Sequence, residues 1–212
     1  EKSAGLGVIT DGEFRREAWH LDFMWAFDGV AHKPTETGLP FHDEAAKIDD
    51  TYLTGKIAYR GGHPFIDHFR FVQDLEDEKC VAKLTIPAPA QFFEQFAMPF
   101  NLEATRRYYK TDEELANDIV AAYRAFIADV YAAGCRNLQF DDCSWGMVVD
   151  PHAEQFFGVD AAGLERVKEA LLDVNNRALE GRPADLTVNT HVCRGNFHST
   201  WACEGGYDEV AD

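Results

Sequence analysis

Nowhere does the chain carry an apolar run approaching the ~18 residues that a bilayer-spanning helix needs, so no membrane partner is expected. Residues 1–7 lack both the basic start and the apolar core of a secretory signal. Basic residues are few: 20 Lys and Arg stand against 37 Asp and Glu, for a net charge of −17. Such a field repels a polyanion, and no basic cluster offsets it, which argues against nucleic acid as a partner. Cysteines number only 5, an odd count scattered at positions 80, 135, 143, 193 and 203. That usage fits a reduced, cytoplasmic protein better than a disulfide framework. The glycine-rich strand-to-helix turn of a dinucleotide-binding fold is missing as well. No repeat or low-complexity linker divides the chain, so residues 1–212 read as a single domain or part of one.

What is present is ample core material, 46% hydrophobic and 13% aromatic residues. Four segments read as strands: 7–13, 81–86 (stopped by Pro87 and Pro89), 137–141 and 186–193. Between the last three lie two helices. The first opens at Thr111, with Glu114 three residues on as a capping box, and carries Leu115, Ile119, Ala122, Phe126 and Val130 at helical spacing before Gly134. The second starts near Asp160, with an apolar stripe of Leu164, Val167, Leu171, Val174 and Ala178, and stops at Gly181 and Pro183.

Strands alternating with helices predict an α/β fold on a parallel sheet. Polar residues gather where strands end: Asp11 and Glu13, Asp141 and Asp142, His191 and Cys193. In a (β/α)8 TIM-type barrel the chemistry sits at the C-terminal strand ends, so that architecture is preferred over a doubly wound sheet. A full barrel needs eight strands and about 250 residues. Four core strands plus a hairpin excursion near residues 50–62 therefore predict an incomplete barrel, a fragment of a catalytic domain with strands missing at both ends. Residues 1–5 resemble the tail of a helix, and 205–212 the start of another.

His191 and Cys193 are the sharpest chemical feature. Two apart in a strand they face one point, and imidazole and thiolate are preferred zinc ligands. A buried cysteine beside a hydrogen-bonded histidine is the bland alternative, and two donors are too few for zinc, though Cys143 or Cys203 could add to them. Asp11 and Glu13 share a face by alternation, and Asp141 ends its strand. Carboxylates there can bind an ammonium group or move protons. A solvated turn is the better reading for Asp11, while Glu13 and Asp141 stay open. The aromatic stretch 19–25 reads as core or subunit interface, the latter making a homo-oligomer, ahead of a ligand pocket. Arg194-Gly195-Asn196 is either a cation beside a carboxylate substrate or an ordinary turn.

Four motifs, taken together, carry a resemblance. Thr10-Asp11-Gly12-Glu13-Phe14-Arg15-Arg16 with Trp19-His20-Leu21-Asp22-Phe23, then Lys83-Leu84-Thr85-Ile86-Pro87, Leu138-Gln139-Phe140-Asp141-Asp142 and His191-Val192-Cys193-Arg194-Gly195-Asn196 follow one another across residues 8–208. In this order they resemble single-domain relatives of the cobalamin-independent methionine synthase catalytic barrel. The resemblance implies a zinc-dependent methyltransferase acting on a thiol, homocysteine giving methionine. It assigns two zinc ligands to His191 and Cys193 and the amino-group contacts to Glu13 and Asp141. It leaves the other two ligands and a proton-donating histidine beyond residue 212.

Two departures stand out. Asp142-Cys143 replaces the family's Glu-Pro, and Phe92 and Phe93 stand near where a folate-stacking tryptophan is expected. Methyltetrahydrofolate is thus less firmly implied as methyl donor than the thiol is as acceptor. A superfamily relative using another thiol or alkyl donor, and a non-catalytic incomplete barrel, are the competing expectations.

Overall fold

In a computed structural model that describes residues 1–35 and 38–211, the chain forms an α/β fold. The strands are β1 (Val8–Ile9), β2 (Asp28–Lys33), β3 (Leu39–Pro40), β4 (Ala45–Ala46), β5 (Asp50–Ala58), β6 (Val81–Ala82), β7 (Leu84–Pro87), β8 (Asn137–Asp141) and β9 (Thr187–His191). The helices are α1 (Leu21–Trp25), α2 (Pro64–Gln73), α3 (Pro89–Ala97), α4 (Pro99–Thr105), α5 (Asp112–Ala132), α6 (Ser144–Val148), α7 (Ala153–Phe157) and α8 (Ala161–Leu179). Single 3-10 turns span Lys2–Ala4 and Asp208–Val210, at the two places read as helix ends. Asp212, the last residue of the stretch read as the start of a helix, lies outside the described residues.

All four expected core strands form, three of them with altered limits. β1 covers only two residues and pairs in parallel with β6. The second segment breaks at Lys83 into β6 and β7, and Pro87 is the last strand residue rather than a stop outside it, a terminal position where a missing N–H costs little. β7 pairs in parallel with β8, and β8 with β9. The run β1, β6/β7, β8, β9 thus lies in chain order and in one direction. Among the described residues this sector does not close on itself.

Both long helices form as their caps predict. The Thr111 side chain accepts the Glu114 N–H at the start of α5, and Asp160 accepts the Gly163 N–H at the start of α8. Leu115, Ile119, Phe126 and Val130 are fully buried in the same core as Ile86 of β7 and Leu138 of β8. The expected excursion is wider than predicted: β5 pairs antiparallel with β2, twenty-odd residues earlier. Helix α3 was not foreseen. Pro89, read as a strand stop, is its first residue, where proline's fixed φ suits a helix start. In the 19–25 stretch Leu21, Phe23 and Met24 are buried and Phe23 packs edge-on against Phe126 at 5.0 Å, so most of it serves the core. Among the described residues no helix is long and apolar enough to cross a membrane.

Candidate functional site

Parallel strands send their C-terminal ends to one side, and every candidate residue stands there. Glu13 follows β1, Asp141 ends β8, His191 ends β9, and Cys193 lies two residues further on.

Glu13 does not reach the site by strand alternation with Asp11, as expected from sequence. Residues 12–15 form turns, at whose start Asp11 Oδ1 accepts the Glu13 N–H at 2.9 Å and Glu13 adopts a φ of 61°. Asp11 is therefore a turn-maker, and its other oxygen sits 3.6 Å from Arg15. The Glu13 carboxylate accepts hydrogen bonds from Thr85 Oγ1 at 2.6 Å and Arg16 Nη1 at 3.1 Å. Arg16, with a side chain 0% exposed, also donates through Nη2 to the Thr85 carbonyl at 2.7 Å and lies 4.1 Å over the Phe65 ring. Burial lowers the pKa of this guanidinium, against the pull of Glu13, Asp11 and Asp141.

Asp141 is 6% exposed. Gln139 Nε2 donates to its Oδ1 at 2.7 Å, and Lys83 Nζ donates to Gln139 Oε1 at 2.7 Å. Burial raises the Asp141 carboxyl to about 6; the Gln139 bond opposes this, the Glu13 charge reinforces it, and His191 and Arg16 pull it back. Asp142 points the other way, accepting from Asn175 Nδ2 at 2.7 Å and Trp145 Nε1 at 2.9 Å in full burial. Ser144 lies against both Asp142 and Glu94, and burial lifts the Glu94 carboxyl to about 7.

The sulfur side is assembled differently from the prediction. β9 stops at His191, so Cys193 is not a same-strand neighbour. The chain turns at Gly195, whose φ is 82°, and Gly195 and His191 are the polar neighbours that favour ionisation of the Cys193 sulfur. Cys143 Sγ is 3.0 Å away. That S–H···S contact first, and then Gly195 and His191, hold Cys193 below the ordinary thiol range; the same contact together with burial pushes Cys143 far above it. Gly146 makes the approach feasible, because a Cβ there would lie 2.4 Å from the Cys193 carbonyl oxygen. Arg194 follows the turn reading: its carbonyl accepts the Ala202 and Cys203 amides, and its guanidinium lies over Tyr207 at 5.2 Å.

As donors for zinc, an imidazole and a thiol held below its usual pKa have the right chemistry. They are a part-set. Among the described residues no group of three or more His, Cys, Asp or Glu side chains is arranged to hold a metal. Phe92 and Phe93 are buried, Phe92 against Phe27, Phe96 and Tyr123, so neither ring is presented to a flat ligand.

Sequence reasoning passed over Arg16, Thr85, Lys83 and Gln139 as site residues. A signal existed for three of them: Lys83 and Thr85 alternate as polar positions in an apolar segment, and Gln139 shares a strand face with Asp141. Nothing local marked the complete burial of Arg16.

No family model matches the chain. It is 37% identical over 212 residues to the uncharacterized protein YxjH of Bacillus subtilis (strain 168), covering 100% of this chain and 54% of that protein. With the uncharacterized protein YxjG of the same organism the identity is 36% over 213 residues, at the same coverage. The chain thus spans about half (54%) of the length of the curated relatives it matches. Among solved structures it is similar to a "Putative Vitamin-B12 Independent Methionine Synthase" from Listeria monocytogenes, with a TM-score of 0.67 and 34% identity over 92% of this chain and 52% of that one. A B12-independent methionine synthase from a Shewanella species, solved in complex with selenomethionine, matches at a TM-score of 0.62 and 19% identity, covering 92% and 48%. That second likeness is one of fold. The α/β fold described above is the one these methionine-synthase-like proteins share.

Proposed function

We propose that the chain belongs to the cobalamin-independent methionine synthase family and forms one sector of a (β/α)8 barrel that transfers a methyl group to a thiol, homocysteine being the expected acceptor. The unreversed order of β1, β6/β7, β8 and β9 supports the barrel, since a doubly wound sheet reverses its strand order at a switch point. The observation that carries the chemistry is the placement of His191 opposite Asp141 in the β8–β9 register, with Glu13 and Cys193 just past strands at the same end.

In this reading His191 and Cys193 supply two zinc ligands, and the remaining ligands and a proton donor come from outside residues 1–212. Bound zinc supplies a thiolate where a free thiol of pKa about 8.5 is only a few per cent ionised, a difference of about 2 kcal/mol at neutral pH. Glu13 and Asp141 hold the substrate's ammonium group and fix the direction from which its sulfur attacks. Thr85 and Arg16 keep Glu13 in place, and Gln139 does so for Asp141. The test is Cys193→Ser in the full-length protein: zinc content and thiol methylation are both expected to fall, and retention of both removes the proposal.

The burial of Phe92 and Phe93 favours a second version for the donor side. Here the same thiol chemistry uses an alkyl donor other than methyltetrahydrofolate. Incubation with a panel of donors and thiols, read by product mass, separates the two.

A further inference from the structure

Cys143 and Cys193 are 50 residues apart in the chain, yet their sulfurs stand 3.0 Å from each other, about 1 Å beyond a disulfide bond. Backbone packing sets this approach. Asp142 N–H donates to the His191 carbonyl at 2.8 Å, which ties the end of β8 to the end of β9 immediately before the two cysteines. Cys143 caps α6, whose Gly146 rests against the Cys193 carbonyl. Both cysteines are half-buried, whereas Cys80, Cys135 and Cys203 are buried. A small oxidant therefore reaches this pair first, and the second thiol is already within range of the first.

We propose that Cys143 and Cys193 form a reversible intramolecular disulfide, a modification site at the mouth of the candidate active site. With hydrogen peroxide as oxidant, one thiolate attacks a peroxide oxygen. An S–O bond forms, the O–O bond breaks, and the leaving hydroxide takes a proton to become water. The second sulfur then attacks the sulfenic sulfur. The S–S bond forms, the S–O bond breaks, and a second water leaves with the thiol proton. Two electrons pass from the sulfurs to the peroxide. Where Cys193 ligates a metal, which rests on the function proposed above, the disulfide withdraws that ligand until a thiol reductant restores it.

The experiment treats metal-free full-length protein with stoichiometric hydrogen peroxide, then unfolds it, alkylates the remaining thiols and maps peptides by mass. The expected product has lost the mass of two hydrogens, joins the Cys143 and Cys193 peptides, leaves the other three cysteines of residues 1–212 alkylatable, and reverts with dithiothreitol. Cys143→Ser is expected to abolish the link and leave Cys193 as a sulfenic acid, which a second equivalent of peroxide takes on to sulfinic acid. A link from Cys193 to Cys203, or stable oxidation of Cys193 with Cys143 still alkylatable in the unsubstituted protein, overturns the proposal. In a parallel sample incubated with zinc, metal release in step with the link supports both readings. Formation of the link in a protein that takes up no zinc keeps the disulfide and removes the metal reading alone.

Discussion

Glu13 and Cys193 stand at the same end of the parallel strands but are held there by different means. The acidic side is anchored from beneath: Arg16, wholly buried, ties Glu13 to Thr85 on β7 and lies over Phe65 on α2. Asp141 is fastened by Gln139, which Lys83 fastens in turn. The sulfur side rides on a turn past an exposed strand end, with His191 exposed and Cys193 half-buried. Its position comes from one close backbone approach at Gly146 and the contact of the Cys193 sulfur with Cys143. Groups that position a substrate by charge need a rigid frame to avoid spending binding free energy on ordering. On the function proposed above, metal ligands are oriented further by the metal itself, so a looser loop suffices for His191 and Cys193.

That contrast predicts a graded set of effects. Arg16→Met removes the cation paired with Glu13 and the guanidinium donor to the Thr85 carbonyl, and is expected to destabilise the fold by about 3 kcal/mol, lowering Tm by roughly 10 °C. Calorimetry that finds the Tm unchanged would erase the distinction between the two sides.

Next comes the buried acid behind β8. Burial holds the Glu94 carboxyl at about 7, above its unfolded value of 4.5. Between those values the unfolded chain binds fewer protons, so stability falls as pH rises from about 4.5 to 7. His20 and His63 act in the opposite sense. Burial lowers both to about 4 from 6.5, so stability is lost as pH falls from about 6.5 to 4. Glu94→Gln removes only the first limb and is expected to raise stability at pH 8 by on the order of 2 kcal/mol, with the acid limb retained. Urea unfolding at pH 5 and pH 8 reads this directly, and parallel profiles for the two proteins would contradict it.

Gly146→Ala pushes against the Cys193 carbonyl and should cost about 1–2 kcal/mol, while the yield of the Cys143–Cys193 cross-link drops. An undiminished yield would mean that the glycine does not set the sulfur contact. The smallest stability change belongs to His191→Ala, within about 0.5 kcal/mol because the side chain is exposed. Its expected signature is instead a loss of zinc from the full-length protein, measured by elemental analysis.

Much of this was legible in the residues themselves. Thr111 and Asp160 announced their helices because capping is a local bond between a side chain and an amide three residues away. Segment 137–141 is legible to the residue, since Leu138 and Phe140 alternate with polar residues between Gly134 and Asp142 and leave a short strand one place to lie. The hairpin partner of β5 was missed, because strand pairing is a contact between distant residues that neither strand encodes alone. Pro89 was misread because the same restricted φ suits a strand end and a helix start.

Residue types and their order determined which groups are present for chemistry: two carboxylates, an imidazole and a thiol, each beside a strand end. Tertiary structure alone decided how they meet. Alternation along β9 would have aligned His191 with Cys193, but the strand stops and a turn performs the alignment instead; alternation along β1 would have aimed Glu13, but a left-handed turn and a buried arginine do so. Local rules specify what a strand would do if it continued. Where it ends depends on which neighbouring strand remains to hydrogen-bond with it, and that is a property of the folded chain.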